Sequence, residues 1–151
     1  MNNEKSQACL RIIGRVARPV TLPFSELRAM DNLETEDLPM ICGSGEPKGR
    51  TGRCRGVLLA DVIGRAEVLA PEHNDTKKMF IVAAADDGYK AVFSWQELFN
   101  SPNGAAILVV FAKDGLTLSD KEGVELLAAC DHLSGPRHIH HLTTIEIAIV
   151  A

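Results

Sequence analysis

Apolar residues recur along this chain mostly at strand spacing, in short runs broken by glycine, proline and charged clusters. Leu10-Arg11-Ile12-Ile13-Gly14-Arg15-Val16 predicts an opening strand. Pro19 and Pro23 punctuate the next segment. Residues 24–30 predict a short helix, with Pro23 admissible in its first turn. Residues 38–42 predict a second strand that runs into Gly43-Ser44-Gly45-Glu46-Pro47-Lys48-Gly49-Arg50-Thr51-Gly52, a stretch too rich in glycine for regular structure. Leu58, Leu59, Val62 and Ile63 take the spacing of one helix face within residues 57–66.

The second half is more strand-like. Residues 79–84 and 89–93 flank Asp86-Asp87-Gly88, a hairpin signal. Ser94-Trp95-Gln96-Glu97 matches a capping box: the Ser94 hydroxyl accepts from the Glu97 amide and the Glu97 carboxylate reaches back, starting a helix through Phe99. Residues 106–112 predict a buried strand turned by Lys113-Asp114-Gly115, and residues 124–129 another. Residues 142–150 alternate Ile145, Ile147 and Ile149 with smaller or polar residues, as a half-buried strand does. Strands outnumber helices and regular βαβ alternation is missing. The expected class is α+β, a mixed and mainly β-sheet domain with short helices.

Composition narrows the function classes. A chain of 151 residues with 46% apolar residues suits one domain, residues 1–151, with an ordinary core. A net charge of −4 gives no global basic field for nucleic acid or anionic lipid. No apolar run approaches the roughly 18–20 residues that span a bilayer, so neither a nucleic-acid nor a membrane partner is expected. Met1 to Gln7 lacks a secretory layout, which places the chain in the cytoplasm as written, or in the periplasm if a leader was trimmed. Cys9, Cys42, Cys54 and Cys130 form no C-x-x-C pair and do not suit a disulfide scaffold, although spacing alone leaves a Cys42–Cys54 pair open.

Several residues are candidates for chemistry. Cys42 closes a strand and opens the glycine-rich loop, where backbone amides and Lys48, Arg50, Arg53 and Arg55 would favour a thiolate; a buried structural cysteine is the alternative. The loop itself lacks the G-x-x-x-x-G-K-[ST] arrangement of a phosphate cradle. On a strand His138 and His140 share a face and could bind a metal with Cys130 or Asp131, or could decorate a solvated strand end. Tyr89 follows a tight turn and either presents its hydroxyl to a site or fills one side of the core. Trp95 is expected as a core anchor.

The order of motifs resembles a known family. Leu10-x-Ile12-x-Gly14-x-Val16-x-Arg18-Pro19 followed by Phe24-Ser25-Glu26-Leu27 resembles the entry of the sulfite oxidase-type molybdopterin-binding domain. So does Cys42 followed at a distance by Arg53-x-x-Gly56-Val57-x-Leu59-x-Asp61-Val62. Asp87-Gly88-Tyr89 before Phe93-Ser94 is similar to the segment carrying an active-site tyrosine. Arg137-His138-Ile139-x-x-Leu142-Thr143-x-Ile145-Glu146 is similar to the segment that closes around the cofactor.

The resemblance implies a sulfite oxidase-like molybdopterin-binding fold and a molybdenum–molybdopterin cofactor whose metal takes the Cys42 thiolate as a ligand. Cys42 and Tyr89 would then be the catalytic pair, with Arg137 and His138 on the pterin or its phosphate. Arg53, Arg55 and His140 join them as cofactor-binding candidates. Cys54 stands where the family usually has a tryptophan before Gly-Val. Three functions are open to test: a minimal molybdenum oxidoreductase or electron-transfer component with a redox partner protein; a cofactor-free member of the fold binding a small anion or a protein; and a metal module built on Cys130, His138 and His140.

Overall fold

Strand β7 (Met79–Ala85) shows how the pattern becomes a sheet: Met79, Ile81, Ala83 and Ala85 are buried while Phe80, Val82 and Ala84 between them are half-covered. In the computed structural model, which describes residues 8–151, β7 is the second-last strand of a five-stranded sheet. Residues 1–7, the segment considered for a leader, lie outside the described residues. From one edge the sheet runs β2 (Val20–Pro23), β1 (Cys9–Gly14), β12 (Leu142–Ile149), β7, β8 (Lys90–Ser94). The β1/β12 pair is parallel, Ile12 opposite Ile145, and the other pairs are antiparallel.

A second sheet centres on β9 (Ile107–Lys113), six of whose seven residues are buried. One edge of β9 pairs with β6 (Cys54–Leu58), which carries the short β3 (Leu33–Glu34) beyond it. Its other edge is shared by β11 (Glu125–Ala128) and β10 (Leu116–Thr117). Ile107, Val109 and Phe111 face the first sheet and meet Ile12, Ile81, Ile145 and Ile147 in one core. Leu27 of α1 (Phe24–Ala29), Val62 of α2 (Leu59–Ile63) and Leu98 of α3 (Trp95–Phe99) seal it. Fully burying one such aliphatic side chain stabilises by about 1.5–3 kcal/mol. The opposite face of β9, Leu108 and Val110, is covered separately by Met40, Cys54 and Leu127.

That second cover carries the site. Met40 belongs to β4 (Pro39–Ile41), which pairs with β5 (Pro47–Arg50) in a two-stranded ribbon lying over the second sheet. The expected irregular loop is therefore partly strand. Ladder bonds come from the backbone, which glycine supplies as well as any residue, and Gly45 turns the ribbon with φ of +89°.

Two other expectations are corrected. The helix expected over residues 57–66 is confined to Leu59–Ile63, because Val57 and Leu58 are needed in the strand that joins β3 to β9. The capping box is half-formed. Ser94 Oγ accepts from the Glu97 amide at 3.0 Å, but the Glu97 carboxylate turns instead to Arg137, a charged partner that outcompetes a neutral amide. Trp95 is half-buried against the core and stacks on Phe99. The hairpin expected at Asp86-Asp87-Gly88 forms between β7 and β8. Among the described residues the four cysteines are free, including Cys42 and Cys54.

Candidate active site

Cys42 sits where β4 leaves the ribbon, in a turn closed by the Cys42 amide donating to the Glu46 carbonyl at 2.9 Å and the Gly45 amide donating to the Cys42 carbonyl at 2.8 Å. The ribbon is pinned from below by the segment after β11. Ser134 Oγ accepts from the Ile41 amide at 3.1 Å and donates to the Pro39 carbonyl at 3.3 Å, and the Gly135 amide donates to the Ile41 carbonyl at 2.7 Å. A Cβ on Gly135 would stand 2.8 Å from that carbonyl and 3.1 Å from Cys42 Cα, so the approach requires glycine. Tyr89 reaches the same segment from the β7/β8 turn, its hydroxyl donating to the Pro136 carbonyl. Gly88, at φ +92°, lets the chain turn tightly enough to place it there.

These elements enclose an open cavity of about 440 Å³ lined by Cys42, Lys48 and Tyr89 together with Pro136, His138 and His140. A volume in the range of roughly 300–1,000 Å³ suits a small-molecule ligand. The Cys42 thiol is held below its ordinary pKa. Its hydrogen bond to Ser44, with Sγ and Oγ 2.9 Å apart, is the main cause, the Ser44 and Glu46 backbone adds to it, and the Lys48 charge contributes. Cys54, by contrast, is buried under the ribbon, and that burial pushes its thiol up. One thiol is poised as a donor and the other is core.

His138 and His140 flank Ile139, which exchanges two backbone hydrogen bonds with Leu126 of β11 and points into the core. Strand alternation therefore puts both imidazoles on the outer side. There they meet Glu125: Nε2 of His138 lies 2.9 Å from Oε1 and Nδ1 of His140 lies 3.3 Å from Oε2. The Lys113 ammonium adds a 2.7 Å ion pair to Oε1. Burial pushes the Glu125 carboxyl upward, but the His138 hydrogen bond and the Lys113 hydrogen bond and charge outweigh it, and the group settles at about 2. Sequence reading missed Glu125, because a lone glutamate opening an apolar strand carries no motif.

The remaining candidates lie elsewhere. Arg137 turns away from the cavity, and its guanidinium donates to Asp131 at 2.7 and 2.9 Å and to Glu97 at 2.9 and 3.0 Å. It also donates to the Val92 carbonyl and lies 4.2 Å over the Phe93 ring. Arg53 pairs with Glu34 and Arg55 donates to Asn32 along the β3–β6 side, and Arg50 of the ribbon pairs with Asp37. Of the cations around the loop, Lys48 is the one that lines the cavity. Cys130 Sγ faces Asp131 at 3.9 Å, and among the described residues the metal-type donor group is Glu125, His138 and His140 rather than one with Cys130.

The roles of Gly135 and Pro136 could not be read from the sequence, since they come from contacts with Ile41 and Tyr89 on distant segments, and Ser44, two residues from Cys42, carries no motif that marks it as the partner of a thiol. A soft sulfur, an open cavity of ligand size and a phenol in its lining suit a molybdenum–pterin group beside Cys42. Besides the sulfur and the phenol the cavity offers Lys48 and two imidazoles, not guanidinium groups.

A family model described as the oxidoreductase molybdopterin binding domain matches residues 2–149. Among curated proteins none matches the sequence. Among solved structures, the sulfane dehydrogenase SoxCD from Paracoccus pantotrophus superposes with a TM-score of 0.68 at 17% identity, over 97% of this chain and 39% of that one. At that identity the likeness establishes the shared fold. This chain spans about two fifths of that longer protein. Among the described residues no helix is long and apolar enough to cross a membrane.

Proposed function

Since the chain belongs to the oxidoreductase molybdopterin binding domain family, we propose that it holds a molybdenum–molybdopterin cofactor through the Cys42 thiolate and works as a small oxidoreductase or electron-transfer component with a redox partner protein. The observation that carries this reading is the juxtaposition of an acidified, accessible thiol with a phenol and a cation around one open cavity. When bound, the cofactor supplies two-electron oxygen-atom exchange.

The chain's own residues have distinct tasks. Cys42 donates charge through a soft sulfur, and Ser44 holds that sulfur in place with a hydrogen bond. Lys48 adds positive charge that favours thiolate and attracts an anion. Tyr89 donates its hydroxyl to the Pro136 carbonyl at the cavity wall, and a substrate oxyanion would compete with that carbonyl for the same hydrogen bond. His138 and His140 line the same cavity and would offer imidazole nitrogens to a pterin phosphate. Arg137 holds the closing segment in place rather than the cofactor.

Protein made in a host with intact cofactor synthesis should carry molybdenum and pterin together, and Cys42→Ser should carry much less of both. Equal metal content in the two proteins would refute the assignment of Cys42.

A second reading draws on Arg137, Arg53 and Arg55, each of which is engaged by the chain's own residues. A cavity with lysine and imidazole but no guanidinium also suits a cofactor-free member of the fold that binds a small anion. That reading expects no molybdenum in a competent host and an unchanged protein on Cys42→Ser.

A further inference from the structure

We propose that Glu125, His138 and His140 form a binding site for a divalent first-row metal ion such as zinc, separate from the Cys42 sulfur. Three features of the cluster lead there.

The donors are the right kind. Two imidazoles and one carboxylate, with room for water in the remaining positions, are a common set for zinc and for other divalent ions of similar size. Their ligand atoms all lie within 4.8 Å of one another. Two donors each about 2.1 Å from a metal can be at most about 4.2 Å apart. The Glu125–His138 and Glu125–His140 separations of 2.9 and 3.3 Å already satisfy that. A modest rotation of the His140 ring, whose side chain is 63% exposed, closes the rest.

The donors are also preorganised. Glu125 and His138 are nearly buried, with side chains 10% and 14% exposed, so little conformational freedom is lost on binding. They are fixed by the Leu126–Ile139 backbone pair, which sets both imidazoles on the side of Glu125. The two rings meet edge to face with centroids 4.5 Å apart, leaving the cavity side of the cluster open.

The third feature is Lys113. Its ammonium sits 2.7 Å from Glu125 Oε1, where a metal ion would compete for the same oxygen. Lysine is a removable stand-in: its side chain is 30% exposed at the end of β9, and the flexible stem can carry the charge into water. The buried carboxylate is thus neutralised without metal, and metal binding exchanges one cation for another. Lys113 becomes a determinant of affinity that does not itself ligate. The site needs no molybdenum and no Cys42, but it uses the two imidazoles that the proposed function offers to a pterin phosphate, so a bound ion and that phosphate would compete for them.

Titration of metal-free protein with cobalt(II), followed by its visible d–d absorption, and competition with zinc test the site. Wild type and Cys42→Ser should each bind one ion per chain with the same spectrum. His140→Ala, an exposed change that the fold should tolerate, and the near-isosteric Glu125→Gln should each weaken binding by more than about 100-fold, beyond the range seen for groups that only support a ligand. Cys130→Ser should leave affinity unchanged, and Lys113→Gln should raise it, because the competing ammonium is gone. Far-ultraviolet circular dichroism checks that each variant is folded. The proposal is overturned if cobalt is not retained through gel filtration, or if folded His140→Ala binds as tightly as wild type. It is equally overturned if a thiolate-to-cobalt charge-transfer band appears and vanishes in Cys42→Ser, since the ion would then sit on the sulfur.

Discussion

Replacing Arg137 by glutamine removes the group on which two carboxylates, a backbone carbonyl and an aromatic ring converge. Its guanidinium makes charge-assisted hydrogen bonds of 2.7–3.0 Å to Asp131, Glu97 and the Val92 carbonyl. The Arg137, Glu97 and Asp131 side chains are each only about a fifth exposed. Breaking such a pair leaves carboxylates without compensation, which costs about 3–5 kcal/mol when they are buried. Partial exposure places the expected loss at the lower end, about 3 kcal/mol. For a chain of this size that corresponds to a fall in Tm of roughly 6–12 °C.

The effect should depend on pH. Arg137 is the main reason that the Glu97 carboxyl lies below its ordinary value of 4.5. A group depressed in the folded state stabilises the protein above its unfolded pKa and stops doing so as pH falls through the folded one. The gap between wild type and Arg137→Gln should therefore be full at neutral pH and narrow as the solution is acidified below about 4.5. Adding Glu97→Gln and Asp131→Asn to the variant should recover part of the loss, because the stranded charges are gone. Differential scanning calorimetry and urea unfolding across that range supply the measurement. An Arg137→Gln protein as stable as wild type would show that the guanidinium is spare, and the residue would return to the candidates for binding a ligand phosphate.

Two further expectations concern the other charged groups. The Cys42 thiol should react with iodoacetamide at a lower pH than a free cysteine does, and Ser44→Ala should move that profile upward, while Cys54 stays unreactive until the protein unfolds; identical profiles for wild type and Ser44→Ala would contradict the hydrogen bond. Glu125, at about 2 in the folded protein against 4.5 for the free side chain, should contribute about 3 kcal/mol that is fully present above pH 4.5 and lost as pH falls toward 2, so urea midpoints of wild type and Glu125→Gln should converge in acid.

The longer strands of the first sheet were legible because their burial is periodic. Ile145, Ile147 and their neighbours on β12 alternate in sequence as they do in space, and Asp86-Asp87-Gly88 announces its hairpin by turn chemistry. The first ribbon strand was legible within residues 38–42, but the second, Pro47–Arg50, was not, because its four residues are all exposed and show no apolar alternation. β6 was hidden because Leu58 and Leu59 fit a helix face as well as a strand end, and only pairing on both edges decides between them.

At the site, Cys42 and Tyr89 were found from loop position and family likeness, and His138 and His140 from strand spacing. Arg137 was named for its chemistry without its neighbours. Asp131, six residues before it, and Glu97, on another element, claim the guanidinium first. Glu125 is the converse case: unremarkable as a letter in the sequence, it becomes a hub because Lys113 and two imidazoles close on it from three directions.

The most direct test of the central claim is X-ray absorption at the molybdenum edge on protein loaded in a cofactor-competent host, comparing wild type with any residual loaded Cys42→Ser. The metal's sulfur shell in wild type should contain one scatterer more than the pterin dithiolene supplies, and Cys42→Ser should lose it. A sulfur shell identical in the two proteins would place the metal away from Cys42.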